Sequence, residues 1–309
     1  MKANRRTKLR RIILGSGEQR GLLSRAVLFV LTVSICFVFL YPLFTMLSMG
    51  LKDGKDLNNP LVNWFPTKLF TGNFERAWVV MGGFNTIVSS TFMFLLISVA
   101  QTFASMFIAY GFTKFQFPGK KLCFALMVAT FIIPDHVTFM PRYLLFKEYG
   151  MLRTYLPFLL PAATGSGIRG AIFILIFRQF FSMAPKALDE AAMVDGAGYL
   201  RMFFTINLPL VIPAIVVVFV FSFVWHWNET YLADLYFGNA INTMPLLLER
   251  FTDNYTKIFP PQTTNPQAAL NEGIRMAATF LTILPLLLAY VLVERKLIAS
   301  LDRAGITGE

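Results

Sequence analysis

The sequence predicts an all-α membrane protein in which six helices each cross a bilayer, and three observations carry that prediction. Only 15% of the 309 residues are charged, 56% are hydrophobic and 33 are Phe. That is more apolar surface than a soluble core can bury. The apolar residues gather in long runs with little charge, of the roughly 20 residues that a helix needs to cross about 30 Å of hydrocarbon. Lys and Arg cluster before and between these runs, as segments retained in the cytoplasm do.

The six runs are Ala26–Met49, Thr86–Phe112, Leu122–Phe146, Tyr155–Phe177, Pro209–Leu232 and Met276–Val293. A basic segment precedes the first, but its charge-free stretch from Ala26 to Leu51 is well beyond the roughly 7–15 apolar residues of a signal peptide, so it reads as an uncleaved anchor. The third run contains Asp135, His136 and Arg142 and the fourth contains Arg169; both are drawn as continuous spans. Lys2, Arg5, Arg6, Lys8, Arg10, Arg11, Arg20 and Arg25 hold the N-terminus inside, and six spans return the C-terminus to the same side. The domain plan is then a basic tail over residues 1–25, a transmembrane domain over 26–298, and a short cytoplasmic tail over 299–309.

The net charge of +11 reads as topology and attraction to anionic lipid. A nucleic-acid partner would call for a soluble basic domain with interleaved aromatics, and the sequence has none. Cys36 and Cys123 both lie in apolar runs and read as packing residues, with neither a disulfide nor a metal site to build from them. "KFQFPGKK" at 114–121 is a short inner turn broken by Pro118 and Gly119. The longest connection, about 236–275 and outside, contains "IFPPQTTNPQ", which excludes helix through its middle; loops of this length are usually functional or disordered.

One inner segment, about 182–208, is too patterned to be a plain connection. Pro185 suits the start of a helix, and Asp189 and Glu190 follow near its positive end. Ala187, Leu188, Ala191 and Ala192 recur at helical spacing and give a face of small side chains. Gly196 and Gly198 stop that helix, "YLRMFFTINL" at 199–208 forms a second amphipathic piece, and Pro209 and Pro213 open the next span. Composition alone fits an amphipathic re-entry at the membrane surface. Spacing adds more. Glu190-Ala191-Ala192, Gly196, Ile206, Leu208 and Pro209 reproduce EAA-x3-G-x9-I-x-L-P, which resembles the signature of the permease subunits of bacterial ATP-binding-cassette importers. "AYGFTKFQFPGKKLCF", "MPRYLLFKEYGMLRTY", "FRQFFSMAPKALDEAAMVDGA" and "FVWHWNETYLADL" extend the likeness to the carbohydrate-uptake branch, the relatives of the smaller permease subunit of the maltose importer.

The resemblance implies that the inner segment forms coupling helices seated in a cleft of a cytoplasmic ATPase. Glu190 would meet a basic group there, Ala191 and Ala192 would permit close approach, Gly196 would make the turn, and Asp195 would cap or pair locally. It also implies a second, similar permease chain, two ATPase subunits and an extracellular or periplasmic solute-binding protein, in a bacterial plasma membrane. This chain has no G-x-x-x-x-G-K-[ST] loop, so ATP and Mg belong to the partners and the chain itself needs no cofactor. With only His136 and His226, and neither H-E-x-x-H nor a nucleophile elbow, a membrane-embedded enzyme is disfavoured.

Ionisable groups at membrane depth are candidates for a solute path. These are Asp135, Arg169 and Glu229, joined by Trp225, Trp227, Asn228 and Tyr231, since aromatic rings stack on sugars and amides or carboxylates bond hydroxyls. An aromatic belt at the interface, with Arg169 paired to Asp135 or Glu229, would explain the same residues. The cargo expected is a sugar or oligosaccharide, with a peptide, polyamine or oxyanion as the alternative.

Overall fold

The structure is a computed structural model that describes residues 15–16, 19–260 and 269–306. Most of the basic tail and the Pro-rich centre of the long outer connection therefore lie outside the described residues. Apart from a two-residue pairing of Gly15–Ser16 with Gln19–Arg20, the described residues form helices and their connections. Two compact units divide the chain, residues 1–77 with 262–280 and residues 78–261 with 281–309.

In the first unit, α1 (Leu22–Gly50) is apolar on every side. Its Phe39 is 76% exposed and the described residues leave most of α1 uncovered, as befits a helix solvated by lipid. The connection after α1 is an ordered cap. The buried Lys52 Nζ donates to the carbonyls of Val62 and Asn63 at 2.9 Å each. Thr67 donates from its backbone and hydroxyl to the buried Asp56 carboxylate, and Asn73 Nδ2 donates to Gly50 O at 3.1 Å and Lys52 O at 2.7 Å. Burying a lysine and an aspartate is tolerable here because each has its hydrogen-bond partners.

The second unit is built on α2 (Gly83–Lys114), followed by α3 (Lys120–Ile132), α4 (Asp135–Glu148), α5 (Leu156–Ala163), α6 (Gly170–Met183), α7 (Lys186–Val194), α8 (Tyr199–Met202), α9 (Ile212–Asn228) and α10 (Thr230–Phe237). α2 packs against α5, α6 and α9. Met106, Ala109, Tyr110, Phe173, Ile174, Phe177, Phe181, Phe203, Val211, Ala214 and Val218 form the buried core. The last long helix, α11 (Glu272–Ile306), runs beyond the expected end of the sixth span.

Among the described residues, three helices are long and apolar enough to cross a membrane, or up to six if each bent pair counts as one span. The first, second and sixth expected spans correspond to α1, α2 and α11. The third is corrected: α3 and α4 meet at a bend of 102°, because Pro134 lacks an N–H and forces Ile133 into extended backbone. The fourth is corrected too. Residues 164–169 are not helical, and they part α5 from α6 where Gly165 and Arg169 both take positive φ. In the fifth, the helix starts only at Ile212, 75° away from the preceding helical segment, and breaks again at Glu229.

Candidate functional site

The inner segment folds as the composition anticipates locally. Pro185 occupies the N-cap of α7, Asp189 lies in its first turn, and Gly196 turns the chain at φ +75°, a region unfavourable to any residue with a Cβ. α8 follows and widens into a π-helical turn over Phe203–Asn207. The surprise is Asp189. Its carboxylate pairs with Lys114 at the end of α2 and accepts from Asn207 Nδ2 at 3.2 Å. Asn207 is fully buried and its Nδ2 also donates to Met202 O at 3.3 Å. Tyr110 of α2 completes the seat, edge-on to Phe203 at 4.9 Å and to Phe181 at 5.4 Å. One carboxylate thus ties both arms of the segment to the bundle.

The motif residues divide between two faces. Glu190, Ala191, Asp195, Gly196 and Pro209 are exposed, while Ile206 and Leu208 are partly covered. Ala192 is buried within this chain, so the two alanines do not share one outer face. Met193 and Val194, three and four residues on, share the helix face of Glu190 and are 50% and 88% exposed. Exposed apolar side chains next to a carboxylate are what a docking partner with a basic group would cover.

The break over 164–169 lines a cavity of about 360 Å³ that also takes in Thr130, Asp135, Arg142 and Glu229. Non-helical backbone is tolerated in a bilayer where it borders such a cavity. Gln101, buried in α2, holds the break by donating from Nε2 to Ile168 O at 2.6 Å. Gly167 fits against that side chain: a Cβ there would lie 2.7 Å from Gln101 Oε1 and 2.9 Å from the Ala162 Cα. Arg169 takes φ +53° and places its guanidinium 5.4 Å from the Trp225 ring centroid. Among the described residues it forms no ion pair, so the expected pairing with Asp135 or Glu229 is replaced by an aromatic one.

Asp135, Arg169 and Glu229 therefore meet at one cavity; the remaining candidates do not join them there. Trp227 is buried at 1% exposure against Phe94 and Phe223, away from that cavity. Asn228 returns its amide to Val224 O within its own helix, and Tyr231 is exposed beside Phe139. Glu229 has a second duty, accepting from Leu232 N at 3.1 Å at the start of α10. Sequence reasoning missed Arg142, Gln101 and the Lys114–Asp189–Asn207 clasp. Arg142 was visible as a charge in an apolar run, whereas nothing local marks Gln101 or the clasp.

Residues 101–297 match the family described as binding-protein-dependent transport system inner membrane component. The chain belongs to this family. This permease is similar to the sn-glycerol-3-phosphate transport system permease protein of Pectobacterium atrosepticum, 29% identical with 85% of this chain and 90% of that protein covered. It is also similar to the arabinooligosaccharides transport system permease protein of Halalkalibacterium halodurans, 25% identical with 89% and 93% covered. Its fold resembles a bacterial ATP-binding-cassette transporter involved in import of the acidic polysaccharide alginate, with a TM-score of 0.66, 18% identity, and 88% and 96% of the two chains covered. The permease is a membrane-embedded transport subunit, not an enzyme, and it works with ATPase and solute-binding partners.

Proposed function

We propose that this permease forms half of a translocation path for a neutral sugar or oligosaccharide. A second, similar permease supplies the other half, and two ATPase subunits drive the pair through residues 186–208. Both termini lie in the cytoplasm. The observation that carries the reading is the clasped segment, fixed to α2 by Asp189 on one side and exposed at Glu190, Ala191 and Val194 on the other. Movement imposed on the exposed side has a rigid route inward. Lys114 and Gln101 are on the same helix, about 20 Å apart along its axis, and Gln101 grips the break that borders the cavity. A tilt of α2 therefore repositions both ends together.

The cavity favours an uncharged, hydroxyl-rich cargo. Its two carboxylates and two guanidiniums cancel in formal charge while offering many acceptors and donors, the inventory that sugar hydroxyls need. A phosphate ester such as the cargo of the Pectobacterium relative would find attraction and repulsion in equal number. The arabinooligosaccharide relative points the same way. The test is uptake by the assembled transporter in proteoliposomes, with its binding protein and ATP. Labelled oligosaccharide accumulating in preference to glycerol phosphate, peptide and polyamine supports the reading, and preferential uptake of one of those three overturns the cargo assignment.

A further inference from the structure

We propose that a basic cavity between the end of α2 and the starts and ends of its neighbours binds the phosphate of an anionic phospholipid. This cavity, of about 430 Å³, is separate from the one described above and is lined by Lys120, Lys121 and Arg178 over a floor of Phe112, Phe117 and Phe124. No Asp or Glu lines it, and among the described residues none of the three cations is in an ion pair. Three like charges converging without a counter-charge invite an anion.

Geometry favours a site over scattered topological charge. The Arg178 guanidinium is held 4.4 Å from the Phe124 ring centroid, which fixes a long side chain at the cavity wall. Lys120 is tethered by its Nζ to Phe115 O at 2.8 Å. Phe112 packs on Phe117 and Phe124 at 6.0 Å and 5.7 Å, so the floor is preorganised. α3 begins at Lys120, and its N-terminal end adds positive potential on the same side.

Lipid is the favoured source of the phosphate because the anion site continues into apolar surface. Phe117, part of the apolar floor of the cavity, is itself 40% exposed, a place for acyl chains below a headgroup. Basic pockets between membrane helices at the cytoplasmic side recognise such headgroups. The proposal rests on the functional reading only for the leaflet: the cavity adjoins the end of α2 that carries the Lys114–Asp189 clasp.

The experiment extracts the assembled transporter from vesicles of phosphatidylcholine with a minor fraction of phosphatidylglycerol, and the lipid retained after purification is counted. The native protein retains phosphatidylglycerol above its share of the vesicle. Lys120→Gln with Lys121→Gln and Arg178→Gln lowers that enrichment by tenfold or more, whereas Lys120→Arg with Lys121→Arg and Arg178→Lys keeps most of it, separating charge from folding. Inorganic phosphate added in excess leaves the lipid in place. Undiminished enrichment in the neutral variant, equal loss in the charge-conserving one, or full displacement by inorganic phosphate overturns the proposal. Retention in detergent does not depend on which face is cytoplasmic or on the cargo, so it fails or holds separately from the transport reading.

Discussion

Replacing Asp189 by Ala removes one residue and strands two partners. Lys114 loses its counter-charge and the buried Asn207 loses an acceptor, keeping only Met202 O for its amide. One-sided loss of a fully buried pair costs about 3–5 kcal/mol, and a hydrogen bond to a charged group contributes about 1.5–3 kcal/mol. Here both side chains are 15% exposed, so water partly rehydrates Lys114, and a cost near 2 kcal/mol is expected. That is about a 30-fold shift between seated and detached coupling segment. The assay is a double-mutant cycle of Asp189→Ala with Lys114→Met in proteoliposomes, reading solute transported per ATP hydrolysed. Each single change should lower that ratio tenfold or more, and the double variant should be little worse than either, a coupling of about 1–2 kcal/mol. Additive losses, or a native ratio in Asp189→Ala, would refute the clasp as the mechanical link.

Three other substitutions probe the exposed face and the cavity. Glu190→Lys, at an exposed position, leaves folding unchanged but reduces recovery of the ATPase with the permease and lowers uptake in parallel, as co-purification and transport assays will show. Arg169→Gly relieves a side-chain residue of its φ of +53°, raising stability by up to about 1 kcal/mol in thermal unfolding even though it loses the Trp225 contact; uptake falls several-fold, since the cavity loses one of its two guanidiniums. Gly167→Ala drives a methyl against Gln101 and the Ala162 backbone, costing about 1–3 kcal/mol, with uptake falling while ATPase recovery is preserved.

What the sequence disclosed, and what it withheld, follows from the range of each signal. Long charge-free runs located α1, α2 and α11 because hydrocarbon thickness acts directly on composition. Local chemistry was equally readable around Pro185 and Gly196, where the ring and the missing Cβ determine backbone geometry. The bend at Pro134 is not visible in a count of hydrophobicity, because apolar residues resume beyond Asp135 and His136 and such a count does not register direction. The break at 164–169 was hidden in the same way, although "TGSG" carries the glycines that permit it. Trp225 and Trp227 lie about 200° apart around a helix. In a run that is apolar all round, periodicity cannot say which of the two faces the core, and the structure buries Trp227. Lys114, Asp189 and Asn207 come from distant positions, and only the fold brings them together.

The central claim is that the segment around Glu190 meets an ATPase on the cytoplasmic side, and cross-linking from Val194 tests it most directly. Val194 is 88% exposed, so a Val194→Cys variant in a background lacking Cys36 and Cys123 places one thiol at the proposed contact. A cross-link to the ATPase subunit that changes in yield when ATP is added, with no labelling by a membrane-impermeant thiol reagent applied from outside, is the predicted result. Labelling from outside, or no ATPase adduct from a transporter that pumps normally, would contradict it.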